Sequence, residues 1–96
     1  MKIYISGPIT GTNNFHKRFE DAEKRLKEFF AKEPVNPVKE NAKLKSDCYE
    51  DLMENSLKLL DECDAIYMLK GWQDSCGANR EYGYALGKGM KVYWEE

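Results

Sequence analysis

The sequence predicts an α/β domain, a small three-layer fold of about four parallel strands with helices on both faces. Two observations carry this expectation. Short β-branched and aromatic runs alternate with amphipathic helical runs, in the order strand, helix, strand, helix, strand, helix, strand. The 96 residues also contain no internal repeat, linker or low-complexity segment, so one domain spanning residues 1–96 is expected. Right-handed crossovers between parallel strands then place helices on both faces of the sheet.

The first strand is residues 2 to 6, Lys-Ile-Tyr-Ile-Ser, ending at the loop signal Gly7-Pro8. Gly11, Thr12, Asn13 and Asn14 supply loop and helix-capping chemistry. In the helix that follows, Phe15, Phe19, Ala22, Leu26 and Phe29 share one face, while Lys17, Arg18, Asp21, Glu23, Lys24 and Lys27 form a solvated face of mixed charge. Pro34-Val35-Asn36-Pro37-Val38 reads as a short extended segment whose two prolines exclude a helix and suggest a sheet edge. Residues 39 to 47 read as a polar loop. A second helix is expected from about Cys48 to Glu62, with Leu52, Leu59, Leu60 and Cys63 facing inward. Asp64 to Leu69 reads as a strand and Gly71 to Ser75 as a loop. The third helix, about Ser75 to Lys88, is apolar at Ala78, Tyr82, Ala85 and Leu86 and is closed by Gly87 and Gly89. Met90 to Trp94 is the last strand.

Hydrophobic residues make up 42% and charged residues 33%, too apolar a mixture for disorder. Fifteen Lys and Arg against 17 Asp and Glu give a net charge of -2, without the clustered basic surplus that binding a nucleic-acid polymer needs. No apolar run approaches the ~18 residues of a membrane span. The start, Met1 to Gly7, lacks the apolar stretch and cleavage site of a signal peptide, so a cytoplasmic protein without a membrane partner is expected. Cys48, Cys63 and Cys76 are odd in number and widely spaced, which points away from a disulfide framework or a metal site, and no cofactor is implied. Cys63 falls in an apolar helical pattern and reads as core.

In parallel sheets ligands bind at the carboxyl ends of the strands, beside a topological switch point. Two loops reach that edge: Ser6 to Asn14 and Lys70 to Asn79. The first, Ser6-Gly7-Pro8-Ile9-Thr10-Gly11-Thr12, feeds a helix N-terminus, where backbone N–H groups attract anions. It matches neither the dinucleotide fingerprint nor a phosphate loop, and reads equally as a tight turn or a ligand cradle. In the second, Gly77 and Ala78 allow close approach of a helix to the sheet or to a ligand. Glu81 follows within two turns, and helical side chains lean toward the N-terminus, which aims its carboxylate back into the crevice. A surface glutamate paired with Lys88 or Arg80 is the alternative. Tyr4 can reach the same edge from the first strand; a buried tyrosine hydroxyl needs a partner, and Glu81 is a candidate. Trp72 suits stacking on a base, covering a subunit neighbour, or plain packing. His16 has no evident partner and no nucleophile-elbow sequence accompanies it.

Three segments together, Ile3 to Gly11 with its Ser-Gly-Pro-Ile-Thr-Gly motif, Cys63 to Leu69, and Gly71-Trp72 through Ser-x-Gly-Ala to Glu81, resemble a family of small phage and bacterial proteins. These are the DUF4406 proteins, which belong to the nucleoside 2-deoxyribosyltransferase-like superfamily; the resemblance spans nearly the whole chain and implies a Rossmann-like form of the three-layer fold. It implies a nucleoside or nucleoside 5′-monophosphate as small-molecule substrate, with Glu81 attacking the anomeric carbon and Tyr4 orienting it. Ser75 matches a serine that contacts the 5′-phosphate, and Ser6, Gly7, Pro8, Ile9, Gly11, Ser56, Trp72 and Gly77 complete the expected substrate site. The implied chemistry parallels a retaining glycosidase: an oxocarbenium-like transition state, a glycosyl-enzyme ester, and release to water or another base.

Two departures stand out. Active relatives carry an aspartate eight residues before the position of Asp64, where this chain has Ser56, on the inward stripe with Leu52, Leu59 and Cys63. A serine cannot protonate a leaving base, a role worth ~10²- to 10⁴-fold. Relatives that hydrolyse monophosphates carry serine and arginine in the first loop, where this chain has Pro8 and Thr10, so the bidentate grip of a guanidinium is missing. The resemblance therefore implies an N-glycosidase or deoxyribosyltransferase, or alternatively a catalytically impaired nucleotide-binding module. A protein-interaction domain would instead show a crevice filled by side chains. The short chain ends at Glu96, just after its last strand, so a homodimer or larger homo-oligomer is expected to share the site, with Trp72, Trp94 or the 39-to-47 loop as contacts.

Overall fold

The computed structural model describes residues 2–9, 13–30, 33–45 and 48–95. Four strands, β1 (Lys2–Ser6), β2 (Glu33–Val35), β3 (Ala65–Met68) and β4 (Lys91–Trp94), form one parallel sheet in the order β2-β1-β3-β4. Helix α1 (Phe15–Phe30) connects β1 to β2. Helices α2 (Pro37–Asn41) and α3 (Tyr49–Asp61) carry the chain back past β1 to β3, and α4 (Cys76–Lys88) leads to β4. The direction of strand addition reverses between β1 and β3, which makes the carboxyl end of that pair the switch point. The α/β architecture with a parallel sheet is the one expected from the alternation of runs.

Strand side chains alternate between faces, and the two faces of β1 and β3 carry different cores. Ile3, Ile5, Ala65, Tyr67 and Leu69 pack with Phe19, Ala22 and Leu26 of α1. Tyr4, Ile66 and Met68 pack on the other side with Leu60, Cys63 and Ala85 of the α3 and α4 region. Burial pushes the Cys63 thiol up to about 11, so it remains a protonated core group. The expected stripe of α1 is seen at Phe19, Ala22 and Leu26, with Phe15 half-buried; the Phe29 side chain, like Thr10, Gly11 and Thr12, lies outside the described residues.

Three local expectations need correction. Pro34 does sit in an edge strand, but Pro37 begins a helix rather than excluding one, and residues 39–41 belong to that helix instead of a loop. The reason is positional: Asn36 caps it, its side chain accepting from the Val38 N–H at 3.0 Å, and proline at the first helical position loses no hydrogen bond. The loop after β3 holds a short 3-10 turn, Trp72–Asp74. Leu86 is 54% exposed, because the buried stripe of α4 runs through Ala78, Glu81 and Ala85 and leaves Leu86 about 100° past Ala85. Gly89, with φ 72°, closes α4 as expected.

Gly7, immediately after β1, lies where the first loop crosses Leu69. A Cβ there would stand 2.7 Å from Leu69 Cβ, so only glycine lets the loop lie this close to the end of β3. Among the described residues, no helix is long and apolar enough to cross a membrane.

Candidate functional site

Glu81 occupies the second turn of α4 and is 7% exposed, directed toward the switch point. Both carboxylate oxygens are held by β1, whose side chains at alternate positions point to this face. Tyr4 Oη donates to Oε2 at 2.5 Å and Ser6 Oγ donates to Oε1 at 2.6 Å. The surface alternative is excluded, since Lys88 pairs with Asp61 at 2.5 Å and Arg80 lies 3.9 Å from Glu50. Burial pushes the Glu81 carboxyl up to about 7, against the opposing pull of the two hydroxyl donors. The Tyr4 hydroxyl is raised well above its ordinary value, first by burial and then by the adjacent carboxylate, so it stays a donor.

A cleft of about 140 Å³ opens over Glu81. Its walls come from Gly7 and Ile9 after β1, Asn41 of α2, Tyr49, Leu52, Met53 and Ser56 of α3, and Ser75, Gly77 and Ala78 at the start of α4. The crevice is therefore not filled by side chains. Ser75 caps α4 by accepting from the Ala78 N–H at 3.2 Å, which leaves its hydroxyl proton to donate into the cleft. Ser56 is buried and accepts from Asn41 Nδ2 at 2.9 Å. Among the described residues no cluster of His, Cys, Asp or Glu suits a metal ion.

Of the residues singled out in the sequence, the cleft brings together Gly7, Ile9, Ser56, Ser75, Gly77 and Glu81, with Tyr4 and Ser6 directly beneath the carboxylate. Pro8 is buried beside Gly71 rather than lining the cleft. Trp72 also stands apart, half-buried in an aromatic group with Tyr82 at 4.8 Å and Trp94 at 5.9 Å between ring centroids. Gly11 falls outside the described residues. Sequence reasoning missed Asn41, Tyr49 and Met53. The Asn36-Pro37 pair, a cap followed by a first-turn proline, was the signal that could have found Asn41 by revealing α2.

The sequence matches, over residues 1–94, the family described as a domain of unknown function, DUF4406. No curated protein matches it. Two solved structures share the fold. One, a 2-desoxiribosyltransferase from Leishmania mexicana, is 21% identical with a TM-score of 0.71, over 97% of this chain and 62% of that one. The other, a 2-deoxyribosyltransferase from the psychrotolerant bacterium Bacillus psychrosaccharolyticus, is 19% identical with a TM-score of 0.77, over 98% of this chain and 71% of that one. This chain thus spans less than two thirds of the Leishmania mexicana protein.

Proposed function

The chain belongs to the DUF4406 family, and from that premise and the geometry of Glu81 we propose that it cleaves or transfers the N-glycosidic bond of a nucleoside or nucleoside 5′-monophosphate. The observation that carries this reading is a buried carboxylate, both oxygens fixed by neutral hydroxyl donors, at the floor of an open cleft. Such a group is positioned as a nucleophile, because its donors hold the plane of attack while the cleft admits a carbon electrophile. A Glu81 oxygen attacks the anomeric carbon, the bond to the base nitrogen breaks, and the base leaves with the electron pair and takes a proton from solvent. Water, or the nitrogen of a second base, then attacks the same carbon and releases the Glu81 carboxylate. The cleft is smaller than the ~300–1,000 Å³ of complete ligand pockets, which suits it to enclose the sugar with the base projecting outward. A 5′-phosphate would meet Ser75 and the first N–H groups of α4, the neutral counterpart of an arginine grip.

Chromatography of released base from a panel of ribo- and deoxynucleosides and their monophosphates tests the reading. Release by the native protein, reduced at least ~10³-fold in Glu81→Ala, is the expected result. Equal release by Glu81→Ala removes Glu81 from the chemistry. One observation favours the second reading, a binding module without turnover: Ser56 stands in the cleft with Asn41, and Glu81 is the only carboxylate among the described residues lining it. Thermal stabilisation by a nucleoside with no base released is the result that selects this reading.

Gly77→Ala probes the cleft without disturbing the fold. Its Cβ would rest 3.7 Å from Met53 Sδ and 3.8 Å from Tyr49 Oη, which are ordinary contacts. The helix gains up to ~1 kcal/mol of propensity, whereas the added methyl occupies ligand space. An unchanged or higher melting temperature with at least ~10-fold weaker nucleoside binding is expected, read by thermal denaturation and calorimetry.

A further inference from the structure

The cleft over Glu81 has one aromatic wall. Tyr49, the first residue of α3, is the only ring among the described residues lining it. It stands at the rim and is 45% exposed, whereas Glu81 is buried at the floor. Its neighbours fix the ring in place. The hydroxyl donates to Met53 Sδ at 3.7 Å and reaches across to the first turn of α4, where a Cβ at Gly77 would lie 3.8 Å from it. The Arg80 guanidinium, also from α4, stands over the ring, 5.7 Å from its centroid. A ring anchored in this way and left half in water at the mouth of a cleft offers a flat stacking surface at little cost in entropy.

We propose that Tyr49 is the platform on which the base of the nucleoside stacks, so that the site accepts purines and pyrimidines alike. The inference rests on the proposed function for the identity of the ligand and adds what holds its base. With the anomeric carbon against Glu81 and a cleft of about 140 Å³ taken up by the sugar, the base lies at the rim, where Tyr49 is. Every base has a π face, so stacking alone does not choose among them. Choosing requires donors and acceptors aimed at a base edge. The amide of Asn41, the group of the cleft best suited to read an edge, is held on both sides: Oδ1 accepts from Asn55 at 2.8 Å and Nδ2 donates to Ser56 at 2.9 Å. Ile9, Leu52 and Met53 add apolar wall, which reads no edge. Trp72, for which stacking on a base was one expectation, packs outside the cleft on Tyr82, and the role falls to Tyr49.

Calorimetry on the full chain carrying Glu81→Gln, in which the proposed turnover is blocked, tests the inference. The probes are the common ribo- and deoxynucleosides and their 5′-monophosphates, compared with 1-deoxyribose and 1,2-dideoxyribose, with and without a 5-phosphate, as sugars lacking a base. In the series that binds, the bases are expected to fall within about tenfold of one another in affinity. Adding Tyr49→Leu should weaken every nucleoside roughly tenfold and leave the base-free sugar within about twofold. Tyr49→Phe and Tyr49→Trp keep a ring and should retain affinity within about threefold. A structural role alone would move sugar and nucleoside together. The inference is overturned by a Tyr49→Leu loss below about threefold, by an equal loss for the base-free sugar, by a loss confined to one base, or by Tyr49→Phe losing as much as Tyr49→Leu. Tyr49→Gln, polar and suited to an exposed first turn, carries the same expectations if Tyr49→Leu does not fold. Nucleosides held through Tyr49 but never cleaved by the native chain overturn the proposed function and leave this inference standing. Base release by the native chain, with affinity indifferent to Tyr49, does the reverse, and a panel in which nothing binds overturns both.

Discussion

Glu81→Gln is expected to make the protein more stable at pH 8 and to abolish base release. The Glu81 carboxyl titrates at about 7 in the folded protein against 4.5 for an unperturbed glutamate, chiefly because burial penalises its charged form. Between those values the native state binds more protons than the unfolded chain. The contribution of Glu81 to stability is therefore full below about pH 4.5, falls as the pH rises, and is lost above pH 7. A displacement of this size corresponds to about 3 kcal/mol. A neutral glutamine carries no such penalty, and Tyr4 and Ser6, as hydroxyls, can accept from its amide as well as donate to it. Urea denaturation should show the variant more stable than the native protein at pH 8 and similar to it at pH 4.5. Equal stability of the two proteins at pH 8 contradicts the assignment of a buried ionisable carboxyl. Under the proposed function, base release is expected to show an acidic limb, rising with pH through about 7 as Glu81 ionises.

Tyr4→Phe has the opposite sign at pH 8. It removes the donor at 2.5 Å from Oε2 and leaves the ionised carboxylate with Ser6 alone. Loss of one charge-assisted bond in a buried site is expected to cost about 1–3 kcal/mol at pH 8. Less is lost at pH 5, where Glu81 is protonated and needs fewer donors. The acidic limb of base release should move to higher pH, because a less well-solvated carboxylate is a weaker acid. Denaturation at the two pH values, together with a pH–rate profile, measures both effects. An unshifted profile contradicts a direct role for Tyr4 in holding the carboxylate.

The alternation of strands and helices was legible because it rests on local periodicity: Ile3 and Ile5 point one way and Tyr4 and Ser6 the other, and the stripe of α1 repeats every three or four residues. Glu81 was legible as a candidate through its place early in α4 and its company with Ala78 and Ala85. Asn41 was not. It lies in a polar stretch with no motif, and its partners are 14 and 15 residues away in a separate helix, a relation that exists only after folding. Pro37 concealed the helix that carries it, since proline ends helices from within but begins them from the first position. Leu86 was misplaced because a wide apolar run on α4 does not reveal where the centre of its buried arc falls.

The bonds from Tyr4 and Ser6 to Glu81 join residues 77 and 75 positions apart, nearly the full span of the described chain. Contacts of such long sequence separation close late, after the intervening crossovers have been ordered. An intermediate holding β1, α1 and β2 alone contains two hydroxyls of the centre but not its carboxylate. One holding β3, α4 and β4 contains the carboxylate without its donors. Formation of the Glu81 cluster is thus coupled to assembly of the β1–β3 seam, and local opening along that seam dismantles the cluster in the same event.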